Sequence, residues 1–387
     1  MNSSAERLTL QLIRDAFPWD GSNNDKSQIS PVDWPLIAHS AEENALAPLL
    51  YASLKKRGRE NEPPANVTED LRTAYLRTNT ANWLAFQELG SLLNIFEREQ
   101  IPVVLLKGCA LATTLYPEFD LRPMSDIDLL IPHSTLDHVQ ALLIQQGYTP
   151  PLELGSGYGQ RFSSYQAFHR NGNRPAHVEV HWHLFKSPYY CDRIPINWFW
   201  NRTSEIDMGG TRARAFTPEA QLLHLSAHYA LHHRAERLIW SYDLALLLAR
   251  YRVQMNWEEI IEAVRRFGLI QPFQMALSRV RETWGVSMPD KFSSRLDTIK
   301  PSLEQRIAFA MMTARWGQVR VILDGLSMPG VRKKLGVWLH HIFPSIKFMR
   351  ERYRIRDSRW VPLFYLWRIC DGLFRFARSA ISTVTQQ

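Results

Sequence analysis

The stretch from Val103 to Ile131, V-V-L-L-K-G-C-A-L-A-T-T-L-Y-P-E-F-D-L-R-P-M-S-D-I-D-L-L-I, constrains the fold more than any other part of the chain. Val103 to Leu106 is a short apolar run that predicts a strand, and Gly108 falls where that strand must turn into a helix over Cys109 to Tyr116. The stretch ends in a second strand, in which Asp126 and Asp128 alternate with Ile127 and Leu129. Successive strand side chains point to opposite faces, so the two aspartates share one face and the aliphatic residues take the other. Carboxylates held side by side repel each other and lose hydration unless a cation sits between them. Hard oxygen ligands favour magnesium or manganese, ions that keep several waters and bind one or two protein carboxylates plus substrate phosphates. A glycine at the strand-to-helix turn lets backbone N–H groups and the positive helix end approach a phosphate. The stretch therefore reads as a phosphate cradle and a metal-holding acid pair on neighbouring strands.

A strand, a glycine-containing turn opening a helix, and then h-D-h-D-h on the next strand resembles the polymerase-beta-like nucleotidyltransferase superfamily. Within it, L-K-G-x-A-L with Tyr116, Arg122 and S-D-I-D-L-L is similar to an uncharacterised bacterial nucleotidyltransferase family. D-W-P-L-I-A-H-S-A-E-E-N-A-L-A-P-L-L-Y near the start and W-S-Y-D-L-A-L-L later extend the resemblance over most of the chain. It implies an α+β fold, a small mixed-sheet nucleotidyltransferase core flanked by N-terminal helices and a C-terminal helical bundle.

The resemblance also implies a third carboxylate on a later strand, for which Glu179 in A-H-V-E-V-H-W-H-L is the match. Alternation puts Glu179 on one face with His177 and His181, and Val178, Val180 and Trp182 on the other. Asp126, Asp128 and Glu179 would then be the catalytic and metal-binding acids of a two-metal phosphoryl-transfer site using Mg²⁺ or Mn²⁺ and an NTP. Lys107, Gly108, Cys109, Arg122 and Ser125 would face the nucleotide. The superfamily's turn is commonly Gly-Gly or Gly-Ser, whereas here it is Gly108-Cys109, and a thiol is a poor hydrogen-bond donor. Phosphate binding would fall on backbone amides and on Lys107 or Arg122. Arg122 has Glu118 and Asp120 as alternative partners, and Ser125 has the loop backbone. A D-x-D glycosyltransferase using a nucleotide-sugar, or a catalytically silent protein of the same fold, are the rival readings.

At 387 residues the chain exceeds the size at which one core usually keeps growing, and 45% hydrophobic with 22% charged residues is ordinary for a globular protein. Four regions are expected: N-terminal helices over 1–100, the nucleotidyltransferase-like core over 101–216, a helical bundle over 217–330 and a basic, aromatic-rich helical tail over 331–387. Within the first, Pro18 to Pro31 reads as a loose segment. In the core, Ser134 reads as the N-cap of a helix to Gln146, and L-E-L-G-S-G-Y-G-Q-R-F as a glycine-rich loop. Helices are expected near 218–232, 237–251, 256–267, 271–285 and 303–322.

His224, His228 and His232 fall four apart on one helix face, a spacing that can ligate zinc, but no glutamate accompanies them as in metalloprotease helices. Histidines on a half-apolar helix are more often hydrogen-bonded core or surface groups, and a place lining the nucleotide cleft is the other reading. Cys109, Cys191 and Cys370 match neither a zinc spacing nor a disulfide framework. With no apolar signal core at the N-terminus and no stretch approaching about 18 uncharged apolar residues, a cytoplasmic protein without a transmembrane span is expected.

The tail stands apart in charge. Between Val331 and Arg378 there are 12 Lys and Arg against 3 acids, a net +9 that matches the formal +8 of the whole protein. Aromatic residues are interleaved with the cations. Such a segment packs on the bundle, lies on an anionic membrane surface or tracks nucleic acid.

Overall fold

The computed structural model describes residues 4–16, 33–152, 160, 162–172, 175–208, 210–313 and 330–384. Pro18 to Pro31 and the glycines at 155, 157 and 159 lie outside the described residues. Four helices come first: α1 (Ser4–Ala16), α2 (Trp34–Glu43), α3 (Ala47–Lys56) and the long α4 (Ala65–Arg98). α2 starts where it does because Asp33 accepts a hydrogen bond from the Leu36 N–H and Pro35 occupies the first turn.

The core follows as β1 (Val104–Leu105), α5 (Lys107–Thr114), β2 (Ile127–Leu130), α6 (Leu136–Gln145), β3 (Tyr165–Arg170) and β4 (Ala176–His181). Two short helices, α7 (Pro188–Cys191) and α8 (Ile196–Trp200), lead to a separate hairpin of β5 (Thr203–Asp207) and β6 (Arg212–Phe216). The four-stranded sheet has the order β1-β2-β4-β3, with β2 parallel to β4 and the other neighbours antiparallel. It is therefore a mixed sheet. Its apolar face, with Ile127, Leu129, Val178 and Val180, packs on Leu89, Leu92 and Phe96 of α4.

Two local expectations are corrected. Ser134 lies in a 3-10 turn (His133–Thr135), so α6 begins at Leu136 with Thr135 at its cap. It stops at Gly147, whose φ of +83° is the left-handed conformation that glycine adopts without steric cost. The helix after β1 begins at Lys107, two residues earlier than the apolar pattern suggests.

Beyond β6 the described chain is helical: α9 (Pro218–His232), α10 (Leu238–Tyr251), α11 (Trp257–Arg266), α12 (Ile270–Trp284), α13 (Asp290–Thr298), α14 (Leu303–Thr313), α15 (Val331–Ile342), α16 (Ile346–Tyr353) and α17 (Val361–Val384). α13 is an addition, since its short polar sequence carries only Phe292 and Leu296 inward and gives a weak periodic signal. Residues 314–322 of the helix expected over 303–322 lie outside the described residues. α9 is buried almost throughout, between β6, α10, α12 and α14. That burial carries its histidines into the interior, beside the face of the sheet opposite α4.

Candidate active site

The parallel register of β2 and β4 sets Asp128 directly beside Glu179. Because Ile127 and Val178 point into the α4 layer, their neighbours Asp128 and Glu179 point the other way, together with His181 two residues along β4. The Asp128, Glu179 and His181 ligand atoms lie within 4.8 Å of one another. Lys107, at the start of α5, reaches into the group: its Nζ is 2.6 Å from Asp128 Oδ1 and 3.7 Å from Glu179 Oε2. His181 Nε2 lies 2.8 Å from the same Asp128 oxygen and 3.3 Å from Glu179 Oε2. Tyr165 of β3 stacks on the His181 ring at 5.1 Å and holds its plane.

Electrostatics follow from that packing. Burial works to raise the pKa of Asp128, but the Lys107 ammonium and the His181 hydrogen bond outweigh it and hold the carboxyl well below the usual range. Glu179 is also lowered, burial being offset by His181 and Lys107. Burial opposes the charge on Lys107, yet Asp128 and Glu179 raise its pKa. Asp126 goes the other way: burial and the neighbouring Asp128 charge push it up. Around the acids, three carboxylates stand against one ammonium.

The residues expected to face the nucleotide separate into two groups. Lys107, Gly108, Arg122, Ser125, Asp126, Asp128 and Glu179 all line one cavity of about 400 Å³. Cys109 does not. Its thiol is buried in the α4 layer against the Asp126 carbonyl, at 3.9 Å, and burial pushes its pKa up to about 12. A thiol at this position packs the core rather than reaching toward a phosphate.

Gly108 lines the cavity beside the acids. The left-handed residue of the turn is Lys107, at φ +46°, an uncommon conformation for a side chain. A Cβ at Gly108 would meet Met124 Cγ at 2.9 Å, so a larger residue there requires the Met124 side chain to shift. Ser125 Oγ bonds the Asp126 carboxylate at 3.2 Å, not the loop backbone.

Arg122 pairs with neither Glu118 nor Asp120. Asp120 takes hydrogen bonds from the Tyr75 hydroxyl (2.7 Å) and Asn79 (2.8 Å). The Arg122 guanidinium instead grips Asp243 of α10, Nε to Oδ1 at 3.0 Å and Nη2 to Oδ2 at 2.8 Å, while the Tyr116 hydroxyl donates to Oδ1 at 2.6 Å. The network ties the loop before β2 to the helical bundle. Removing one partner leaves a buried charge uncompensated, so Asp243→Ala is expected to cost about 3–5 kcal/mol. Urea unfolding would show this as a lower midpoint; a midpoint equal to that of the unaltered protein would mean that the pair adds nothing.

The opposite wall of the cavity belongs to the bundle: His228 and His232 of α9, His233 just after it, Arg237, and Trp240 of α10, with Lys186 at the side. The histidines do not converge on a common point. The Lys186 N–H donates to His232 Nε2 (3.4 Å), so the His232 proton is on Nδ1, which donates to His228 Nδ1 (2.9 Å). His228 then donates from Nε2 to His233 Nε2 at 2.8 Å. Neutral imidazoles suit this relay, and burial lowers the pKa of all three, that of His233 to about 3. Of the i, i+4 trio only His228 and His232 join this chain; His224 is fully buried off the cavity lining, and neither of its ring nitrogens has a hydrogen-bond partner among the described residues.

The sequence profile of the uncharacterised nucleotidyltransferase family matches residues 30–285. The chain belongs to this family. Among curated proteins none matches it. A crystal structure of an antigenic nucleotidyltransferase-like protein from Paracoccidioides brasiliensis aligns at 14% identity over 56% of this chain and 94% of that one, with a TM-score of 0.33. The matched region of this nucleotidyltransferase-family chain contains the four-stranded sheet, the cavity and both of its walls.

The donor set fits a divalent cation. A buried carboxylate, a half-buried one and a buried imidazole lie within 4.8 Å of one another, and the acids carry more negative charge than Lys107 balances. Asp126 lines the cavity but stands outside this close triad. His181 is the member that sequence reasoning left unassigned. Alternation along β4 put both His177 and His181 on the Glu179 face, and only tertiary packing separates them: His177 stacks on His169 of β3 at 4.3 Å.

Proposed function

We propose that this chain transfers a nucleoside monophosphate from an NTP to a hydroxyl-type acceptor and releases pyrophosphate. The observation that carries the reading is the side-by-side placement of Asp128 and Glu179 on parallel strands, in a cavity that also holds Lys186 and Arg237. Asp128, Glu179 and His181 would hold a divalent ion, Mg²⁺ or Mn²⁺, with Asp126 beside them. Bound there, the ion would neutralise charge developing on the transferred phosphoryl group.

The chain's own groups divide the remaining work. Lys186, whose Nζ donates to the Tyr165 hydroxyl at 3.0 Å, and Arg237 also line the cavity, where cations suit the β- and γ-phosphates that depart together. Asp126, whose pKa burial and the neighbouring Asp128 charge raise, is the acid best suited to take the acceptor's hydroxyl proton. The neutral His232–His228–His233 chain keeps its donors oriented without adding charge to the pocket. Lys107 holds Asp128 and Glu179 ionised at neutral pH.

The phosphate product decides among the alternatives. Incubation with a panel of NTPs and sugar nucleotides, with Mg²⁺ or Mn²⁺ and then with EDTA, is expected to give metal-dependent pyrophosphate from an NTP. Release of a nucleoside diphosphate from a sugar nucleotide would replace this reading with a glycosyltransferase. Absence of both turnover and nucleotide binding would leave a silent protein of this fold.

A further inference from the structure

We propose that α15, α16 and α17 form a docking surface for an anionic lipid bilayer, on which the protein lies without crossing it. The inference is independent of the nucleotidyl-transfer reading. Ten of the nineteen exposed large apolar side chains among the described residues fall between Val331 and Trp367. They are ordered rather than scattered. On α15, Val331, Leu335, Leu339 and Ile342 are 70%, 49%, 53% and 44% exposed and recur at the spacing of a single helical stripe.

The other side of that helix is occupied. Val337 is buried, Phe162 fits against Gly336, where a Cβ would come within 3.0 Å of its ring, and the same ring lies 5.8 Å from His340. At about 100° per residue these positions lie opposite the stripe, which therefore faces away from the protein, with Arg332 and Lys334 on its flanks. α17 repeats the arrangement. Leu363, Leu366 and Trp367 are exposed, with Trp360 just before the helix, while Val361, Phe364 and Tyr365 turn inward onto Met349 and Ile355.

Charge selects the occupant. The net +9 between Val331 and Arg378 leaves the rest of the chain almost neutral, so the protein's basic character is concentrated on the segment that carries the apolar stripes. An anionic bilayer matches both properties at once: apolar side chains enter the boundary between headgroups and acyl chains, and cations meet lipid phosphates and carboxylates. Single-stranded nucleic acid would share the charge but needs aromatic faces for stacking. Here Phe348, Tyr353, Phe364 and Tyr365 pack into the segment's own small core, and the outward side chains are mainly aliphatic. Among the described residues no helix is long and apolar enough to span a membrane, which makes the contact interfacial.

The test is co-sedimentation of the full chain with vesicles of phosphatidylserine and phosphatidylcholine, compared with phosphatidylcholine alone and with a single-stranded homopolymer RNA measured by gel shift. Binding to the anionic vesicles is expected to be at least about ten-fold tighter than to the neutral ones and to weaken in about 0.5 M salt. Leu335→Ser with Leu339→Ser and Leu366→Ser should lower vesicle affinity about ten-fold at little change in melting temperature, because all three side chains are about half exposed or more. Arg350→Glu with Arg352→Glu and Arg356→Glu tests the charge separately and should have a similar effect. Failure to sediment with anionic vesicles overturns the proposal. So does retention of RNA without vesicles, or a soluble dimer that the apolar variant dissolves while vesicle binding is absent.

Discussion

Replacing Asp126 and Asp128 together by asparagine is expected to remove metal-dependent NTP turnover, by about 10³-fold or more, equivalent to ~4 kcal/mol of barrier. Asp128→Asn alone should account for most of the loss, because Asp128 is the residue that both Lys107 and His181 touch and the one facing Glu179 across the strand pair. Asp126→Asn alone should cost less and should act mainly on the pH dependence of turnover, since Asp126 stands outside the close triad. Asparagine keeps the shape of the side chain, so far-ultraviolet circular dichroism and the melting temperature serve as controls for folding. Unchanged turnover in the double variant, with the fold retained, would sink the assignment of these acids. Loss in Asp126→Asn equal to that in Asp128→Asn would show instead that both acids hold the ion.

Lys107→Met is the second large effect, and it reads the site without requiring turnover. In the absence of a divalent ion the lysine ammonium is the cation nearest Asp128, 2.6 Å away and buried with it. Removing one partner of a buried pair typically costs about 3–5 kcal/mol. The variant should therefore melt well below the unaltered protein in EDTA, and Mn²⁺ should raise its melting temperature by more than it raises that of the unaltered protein. Equal melting in EDTA, or equal Mn²⁺ shifts, would show that Lys107 is not the counter-charge of these acids.

The pH dependence has a defined sign. Asp128 is depressed in the folded protein, so its pairing stabilises the fold above the ordinary aspartate pKa of about 4 and is lost as pH falls below it. In Lys107→Met that contribution should already be reduced at neutral pH.

Much of the candidate site was legible because its first half is local. Strand alternation alone puts Asp126 and Asp128 on one face and Ile127 and Leu129 on the other, and the same rule aligns Glu179 with His181. The helices of the bundle were legible for similar reasons, as with the one expected near 218–232, which is α9 (Pro218–His232). Three particulars escaped because they depend on the path of the chain and on no pattern among neighbouring residues. Arg122 finds Asp243 at a separation of 121 residues, and no short-range pattern distinguishes that partner from the nearer Glu118 or Asp120. The packing of the Met124 side chain against Gly108 depends on the path of a loop. Cys109 sits on the α4 side of its helix, a direction set by where α5 begins, and the positive φ of Lys107 moved that beginning.

By itself the sequence determined which residues share a face and where charge is concentrated along the chain, because periodicity and composition are properties of neighbouring residues, while the family to which the chain belongs rests on its motifs and the matching profile. Only the tertiary structure decided that Asp128 stands beside Glu179, that Lys107 lies between them, that His181 rather than His177 joins them, and that the tail's aliphatic stripes face outward. Strand register and helix docking are set by burial summed over the whole core, and a single residue's immediate neighbours carry no record of that sum.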